Sequence, residues 1–229
     1  MISVPKPIYL GADSTQLADM DGDGQTDLLD LFDTDVRFYK IRQGSGLKWE
    51  SGGLLPNAAF NFRNPDTWLI DLSNDKLADV MRTESSDAFV WLNLRDGRWS
   101  GAFLPLLPNA NLQLDQPHVR LADMNGDRLQ DMVWLQDEIC TYYPGKGFGE
   151  FGSAVAMSDP PFGITDESRL LMADVNGDGR SDVLHVTGQV KVWLNLGLDP
   201  LDHSKGRFAN PFTVSDPYTD SARERWEIG

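Results

Sequence analysis

One stretch of nine residues, Asp174-Val-Asn-Gly-Asp-Gly-Arg-Ser-Asp182, carries more structural information than any other part of this 229-residue sequence. Related stretches occur three times upstream, and the four segments start 52, 52 and 51 residues apart. The other three are Asp19-Met-Asp-Gly-Asp-Gly-Gln-Thr-Asp27, Asp71-Leu-Ser-Asn-Asp-Lys-Leu-Ala-Asp79 and Asp123-Met-Asn-Gly-Asp-Arg-Leu-Gln-Asp131. Chance does not give four such matches at near-constant spacing, so the chain consists of four repeats of one unit. We call the segments loops one to four, in chain order.

The residues around the loops predict an all-β fold. Short apolar runs flank each loop, and the strand before loop four is expected over Glu167–Asp174. An aromatic residue follows 11 or 12 residues after the last aspartate of each loop: Tyr39, Trp91, Tyr143 and Trp193. A last short strand comes next, such as Phe151–Val155 or Phe208–Val214. The runs have the length of strands, show no helical period and are often apolar on both faces, as in a sheet packed between other sheets. Four-stranded sheets repeating every ~45–50 residues are typical of β-propeller blades. We therefore expect four blades of four antiparallel strands each. The aromatic residues would lie in the core between blades, and Cys140 would be a small buried residue on a strand. A parallel β-helix is the structural alternative, but its repeat is far shorter.

The repeats divide the chain into approximately 11–62, 63–114, 115–165 and 166–215, and residues 216–229 would form the first strand of a further blade. At the other end, Ile2–Leu10 resembles the last strand of a preceding blade. Residues 1–229 thus read as one propeller segment whose boundaries cut through blades. We expect it to be part of a larger ring; a small closed ring of four blades is the alternative.

Side-chain oxygens recur at positions 1, 3, 5 and 9 of every loop, and position 7 offers a backbone carbonyl. The predicted ligands are Asp19, Asp21, Asp23, Gln25 and Asp27; Asp71, Ser73, Asp75, Leu77 and Asp79; Asp123, Asn125, Asp127, Leu129 and Asp131; and Asp174, Asn176, Asp178, Arg180 and Asp182. Calcium accepts 6–8 oxygens in flexible geometry, whereas magnesium demands a strict octahedron. No soft ligand is present for zinc or copper. The spacing therefore predicts up to four Ca²⁺ ions.

Two other interpretations of the loops are weaker. Asp, Asn and Gly favour Asx-turns in surface loops, but turns alone do not explain the same spacing four times. An EF-hand requires a glutamate at position 12 and flanking helices. Position 12 here is Asp30, Arg82, Trp134 or His185, and the flanks read as strands. Packed carboxylates also repel one another unless a cation is present.

The four sites are not expected to be equal. Position 6 of such a loop favours a left-handed residue, and therefore glycine. Loops one and four have Gly24 and Gly179, whereas loops two and three have Lys76 and Arg128, which adds roughly 1 kcal/mol of strain. Loop two also has the weaker ligand Ser73. We predict that the sites beginning at Asp19 and Asp174 bind most strongly and the site beginning at Asp71 most weakly.

Charge and composition exclude several functions. The chain has 35 acidic and 20 basic residues, a net charge of −15, so a nucleic-acid partner is not expected. No run reaches the ~18 apolar residues of a membrane span. The start of the chain lacks the charged and apolar regions of a signal peptide. The chain is therefore expected to be either cytosolic or a piece of a longer one.

The loops and their flanks resemble the FG-GAP repeats of integrin α-type propellers. The resemblance implies a calcium loop in the hairpin between the first two strands of each blade and a ring of about seven blades. Segments His118–Asp127, Gln130–Trp134, Tyr142–Gly152 and Ser168–Val183 are also similar to the propeller of toxin-complex B components and related Rhs-type virulence proteins. That likeness implies a non-catalytic part of a large secreted assembly, which docks the toxin cocoon onto a pore-forming partner.

No catalytic motif is evident in the sequence. There is no Gly-x-Ser-x-Gly or His-Glu-x-x-His, and Gly145–Gly149 lacks the Ser or Thr and the helix that a phosphate loop requires. We expect a scaffold that binds another protein, either a pore-forming subunit or the rest of the parent chain; a secreted lectin or adhesin that binds glycans or a surface receptor is the alternative. The partner surface is predicted at the blade ends opposite the loops. Two kinds of segment would lie together on that face. One is the long links between blades, Pro56–Asp66, Pro108–Pro117 and Pro160–Ser168; the other is the acidic turns within blades, Asp33–Asp35 and Gln136–Glu138.

Overall fold

A computed structural model describes residues 14–31, 35–43, 47–56, 59–85, 87–95, 98–105, 107–109 and 112–214. These ranges contain seventeen β-strands and one short 3₁₀ turn. The chain divides into two compact units. Unit one comprises the chain up to Val119 together with Tyr143–Ser153, and unit two comprises Arg120–Tyr142 and the chain from Ala154 onward.

Unit one holds two sheets. The first is antiparallel, with its strands in chain order: β1 (Thr15–Ala18), β2 (Asp27–Leu31), β3 (Asp35–Gln43) and β4 (Leu47–Pro56). The second contains β5 (Thr67–Ile70), β6 (Asp79–Glu84) and β7 (Asp87–Trp91). Single bridges from Val90 to Phe103 and from Asn93 to Trp99 continue the second sheet where a fourth strand is expected.

The third and fourth sheets belong mainly to unit two. The third contains β8 (Val119–Ala122), β9 (Asp131–Gln136), β10 (Ile139–Tyr143) and β11 (Val155–Ser158). The fourth contains β12 (Leu170–Ala173), β13 (Asp182–Val186), β14 (Val190–Trp193) and β17 (Phe212–Val214). Between β14 and β17 the chain forms a hairpin of β15 (Asn195–Leu198) and β16 (Lys205–Phe208). Strand β16 pairs in parallel with β11, so the third sheet has six strands.

The predicted all-β fold of four propeller blades is confirmed, with differences at the strand ends. Phe208–Val214 was expected to be one strand, and this is wrong: β16 ends at Phe208 and β17 begins at Phe212. Pro211 lies in the break and has no N–H to donate to a sheet. The expected run Phe151–Val155 is also displaced, because Phe151 makes only a bridge to Gly145 and β11 starts at Val155.

The first strand of the fourth sheet is shorter than predicted. A 3₁₀ turn covers Glu167–Arg169, and the Asp166 side chain caps it by accepting from the Ser168 N–H at 3.0 Å. Segments Ile2–Leu10 and Ala222–Gly229 lie outside the described residues, so the predictions on them, and on the larger ring, stay predictions. No helix in the described part of the chain has the length and apolarity to cross a bilayer.

Each unit has its own core of strand residues. In unit two the largest buried side chain is Trp193, which packs in a cluster with Cys140 and Tyr142. Burial raises the pKa of the Cys140 thiol to about 12, as befits the small apolar role predicted for it. Of the four recurring aromatic residues, Tyr39, Trp91 and Trp193 are buried, but Tyr143 is half-exposed. Side chains alternate along β10, so Tyr142 faces the core in its place.

Candidate metal centre

All four loops occupy the first hairpin of their sheets, as the resemblance implies. Position 1 directly follows β1, β5, β8 or β12, and position 9 is the first residue of β2, β6, β9 or β13. Position 6 has a φ of 81° at Gly24, 72° at Lys76, 72° at Arg128 and 90° at Gly179. The left-handed conformation expected at this position is therefore present in every loop, including the two that have no glycine there.

Backbone N–H groups hold the position-1 carboxylate inside its loop. In loop one, Asp19 Oδ1 accepts from the Gly22 N–H at 2.7 Å and Oδ2 accepts from the Gly24 N–H at 2.8 Å. Loops three and four repeat this pair of hydrogen bonds at Asp123 and Asp174. These bonds lower the pKa of the exposed Asp174 carboxyl, the one from Gly179 most strongly. The tight turn therefore uses these loop N–H groups to fix the position-1 carboxylate in place.

Position 5 is oriented in the same way in every loop. Its Oδ1 accepts from the N–H of position 7, at 2.9 Å for Asp23 and Gln25. The equivalent bonds lie between Asp75 and Leu77, Asp127 and Leu129, and Asp178 and Arg180, at 2.8–2.9 Å. At position 3, the Asn125 and Asn176 amides donate to the position-5 carboxylates of their own loops at 2.9 and 3.0 Å.

The position-9 aspartates are buried, unlike the other aspartates of each loop. Asp27, Asp79, Asp131 and Asp182 are all at most 1% exposed. Each accepts a hydrogen bond at Oδ2 from the N–H of position 2, at 2.8–3.1 Å. Desolvation raises the pKa of Asp27 and of Asp79 to about 6, against the lowering effect of these hydrogen bonds, and it raises that of Asp182 too. A buried carboxylate is unfavourable unless it is paired or binds a cation.

Several oxygens in the first two loops have no protein partner. Among the described residues, Asp27 Oδ1, Asp71 Oδ1 and Ser73 Oγ are buried without a hydrogen bond. In loop one, Asp19, Asp21 and Asp27 each offer an oxygen, and these three lie within 4.8 Å of one another. Hard oxygens converging around an unsatisfied position are the ligand set that calcium prefers. The residues of loop one therefore fit the predicted ion, whereas the described acidic side chains of the other three loops do not come together as closely.

In two loops, a basic side chain that was not predicted to take part forms an ion pair with a loop aspartate. In loop one, the Lys40 ammonium on β3 forms an ion pair with Asp21 and lies 3.7 Å from Asp23 Oδ2. In loop four, a terminal nitrogen of Arg180 lies 2.6 Å from Asp178 Oδ2. Arg180 was predicted as a carbonyl ligand only, and its side chain neutralises position 5. Lys40 comes from the strand beyond the loop, so the loop motif gives no signal for it.

Two buried asparagines next to the loops were also missed. Asn93 and Asn195 are at most 2% exposed, and their N–H groups donate to Asp79 Oδ1 at 2.9 Å and Asp182 Oδ1 at 2.7 Å. The signal was in the sequence, since Val-Trp-Leu-Asn-Leu occurs at both 90–94 and 192–196. The equivalent positions in the other repeats are Ile41 and Gly145.

Comparisons with known proteins agree with this architecture. Residues 123–185 match the FG-GAP-like repeat family. No curated protein sequence matches the chain. Two solved structures have a similar fold: a Tc holotoxin pore of Photorhabdus luminescens, and an Agrocybe aegerita lectin that recognises non-reducing terminal N-acetylglucosamine. Each superposes with a TM-score of 0.55 and 18% sequence identity, over 91% of this chain. The chain spans only 12% of the toxin chain and 54% of the lectin chain. The predicted resemblances are thereby confirmed, to FG-GAP repeats over residues 123–185 and to toxin-complex propellers as a likeness of fold.

Proposed function

We propose that this chain is a non-catalytic, calcium-stabilised β-propeller scaffold that binds another protein within a secreted, toxin-complex-like virulence assembly. The observation that carries the proposal is the common hydrogen bonding of the four loops around a buried position-9 aspartate. In loop one, three carboxylate oxygens also converge to within 4.8 Å of one another. Bound calcium would supply the positive charge that these carboxylates lack. Its ligands would be the oxygens of positions 1, 3, 5, 7 and 9.

Calcium is tested first, by the melting temperature of the chain. Because calcium would bind the folded chain only, the melting temperature should rise with calcium concentration and fall in chelator. Affinities on the order of 10⁻⁴–10⁻³ M are typical of extracellular modules. Magnesium at equal concentration is the control. An unchanged melting temperature on adding calcium would remove the basis of the proposal.

The partner surface is proposed at the blade ends away from the loops. In the third sheet, the turn Asp137–Glu138 joins β9 to β10, while the link after β11 begins at Pro160. The Glu138 N–H donates to the Pro161 carbonyl at 2.8 Å, and Asp137 Oδ1 accepts from the Ile164 N–H at 3.0 Å. These bonds hold the turn and the link together, and a pre-organised surface loses less freedom on binding. The equivalent turn at residues 32–34 lies outside the described residues.

Acidic side chains on this surface favour a partner with a basic surface, such as a pore-forming subunit. Glu138 and Asp159 are both exposed there. We expect Glu138→Lys with Asp159→Lys to slow association in a salt-dependent way, measured by surface plasmon resonance against a candidate subunit. Asp178→Lys, on the loop side, is the contrasting variant. If only the loop-side reversal affected association while the fold persisted, the assignment of the surface would be wrong.

Glycan binding is the second candidate, and one cavity favours it. A pocket of about 330 Å³ in unit two is lined by Glu138, Asp159, Phe162 and Asn210, with Pro160 and Pro211 beside them. Phe162 is 48% exposed, and the Lys191 ammonium lies over one face of its ring, 4.0 Å from the centroid. An exposed ring among acidic and amide groups suits a sugar, which stacks its apolar face and donates its hydroxyls. Glycan-array binding that Phe162→Ala abolishes would favour this candidate over the protein scaffold.

A further inference from the structure

The two calcium loops of each unit are joined by hydrogen bonds that repeat in both units. In unit one, the Ala78 N–H at position 8 of loop two donates to the Asp19 carbonyl at position 1 of loop one, at 3.1 Å. In unit two, the Ser181 N–H donates to the Asp123 carbonyl at 2.7 Å. The same pair of loop positions is therefore bonded in each unit, although the partners are about sixty residues apart in the chain.

A buried asparagine completes each connection. In unit one, the Asn93 side-chain amide donates to the Met20 carbonyl of loop one at 2.9 Å. Its backbone N–H donates to Asp79 Oδ1 of loop two. Its Oδ1 accepts from the Arg95 N–H at 3.0 Å, which fixes the orientation of the amide. Asn93 is thus held between the two loops, at 2% exposure and away from water.

Through Asn93, the position-9 carboxylates of the two loops are linked. Asp27 accepts from the Met20 N–H, the Met20 carbonyl accepts from Asn93, and Asn93 donates to Asp79. A movement of the Met20 backbone, whose N–H and carbonyl make the two bonds, therefore acts on both buried carboxylates.

Unit two contains the same chain of bonds. Asp131 accepts from the Met124 N–H at 2.8 Å, and the Met124 carbonyl accepts from the Asn195 amide at 2.8 Å. The Asn195 backbone N–H in turn donates to Asp182 Oδ1 at 2.7 Å. The Asn195 side-chain Oδ1 accepts from the Gly197 N–H at 2.9 Å. Two independent occurrences of one arrangement indicate a built feature of the fold.

We propose that Asn93 and Asn195 are positioning residues that couple the calcium loops in pairs, one with two and three with four, so that calcium in either loop of a pair raises the affinity of the other. The inference rests on the proposed calcium binding. The physical reason is that an ion held by Asp27 orders the Met20 backbone, and through Asn93 it orders the Asp79 carboxylate before the second ion arrives. Loop two then loses less conformational freedom when it binds. The coupling is reciprocal by thermodynamic necessity.

The test is a double-mutant cycle on calcium affinity in the full chain. Loops three and four are silenced with Asp127→Asn and Asp178→Asn, which keep an oxygen for the position-7 N–H. Titration calorimetry then measures calcium binding by loop two, with loop one intact or silenced by Asp23→Asn. We expect silencing loop one to weaken loop two at least ~5-fold, the lower end of typical coupling. In an Asn93→Ala background the effect should fall below ~2-fold.

Controls keep the result interpretable. Asn64→Ala truncates an exposed asparagine of the same unit and should leave the coupling intact. Melting in chelator checks that each variant folds. If the silenced background does not fold, the mirror cycle makes the same test in unit two. Loops one and two are then silenced, loop four is silenced by Asp178→Asn, and Asn195→Ala is compared with Gln189→Ala, which truncates an exposed amide of unit two.

Each outcome has a distinct meaning. Coupling that Asn93→Ala removes and Asn64→Ala retains supports the inference. Loops that bind calcium independently, or coupling that survives Asn93→Ala, overturn it and leave the calcium proposal standing. A chain that binds no calcium in any form overturns both.

Discussion

Asp27 and Asp79 occupy the same position in loops one and two, yet their oxygens are bonded differently. Asp79 accepts an N–H at each oxygen, whereas Asp27 Oδ1 has no protein partner. An asparagine at 79 would turn its NH₂ toward an N–H, and an unsatisfied buried donor costs about 1–3 kcal/mol. In calcium-free buffer at pH 7 we therefore expect Asp79→Asn to be more destabilising than Asp27→Asn by this amount in urea unfolding. Equal effects would show that the free oxygen of Asp27 has no energetic meaning.

The same two residues predict how the metal-free protein responds to pH. Their folded pKa values of about 6 lie above the value of an unfolded aspartate, so the folded state binds more protons between about pH 4 and 6. Their contribution to the free energy of unfolding is unfavourable above that window and disappears as pH falls through it. The change is on the order of 2 kcal/mol for each residue.

This is measured by urea unfolding at pH 7 and pH 5 in calcium-free buffer, comparing the wild type with Asp27→Asn. The variant lacks one titrating group and should gain less stability on acidification. Saturating calcium should reverse the trend, because protons then compete with the ion for the carboxylates. An identical pH response in the variant would contradict the assignment to Asp27.

At the scale of the loop, the left-handed position 6 can be tested without altering any ligand. A Cβ on Gly24 would meet no atom within 4 Å, so Gly24→Ala adds backbone strain alone. We expect a loss of about 1 kcal/mol in thermal or urea unfolding. Gly188 is the matched control, since it is equally open but lacks a positive φ. A loss as large in Gly188→Ala would mean that glycine flexibility, and not the φ of 81° at Gly24, sets the effect.

The elements also show what a sequence can and cannot predict. The hairpins around the loops were predictable, because the loop motif and its flanking strands are consecutive in the chain. The hairpin β15–β16 was not, since its partner β11 lies almost fifty residues upstream and no local pattern indicates a parallel pair. The contacts of Lys40 and Asn93 with loop one were missed for the same reason, because neither residue is part of the loop motif. The Asn93 amide and the Met20 carbonyl that it contacts are 73 residues apart in the chain.

For the whole molecule, the net charge of −15 predicts that salt and calcium each stabilise the chain by weakening the same charge repulsion. Thirteen of the 35 acidic residues are predicted loop ligands, and four Ca²⁺ ions would reduce the net charge to −7. Self-repulsion of the metal-free chain is screened as the Debye length shortens from about 10 Å at 0.1 M to about 3 Å at 1 M salt. The melting temperature in chelator should therefore rise with NaCl concentration. The additional increase in melting temperature on adding calcium should be smaller at 1 M NaCl than at 0.1 M. The calcium-saturated protein is the matched comparison and should show a shallower salt dependence. A metal-free melting temperature that stays constant from 0.1 to 1 M NaCl would place the acidic groups too far apart, or too well paired, for their repulsion to matter.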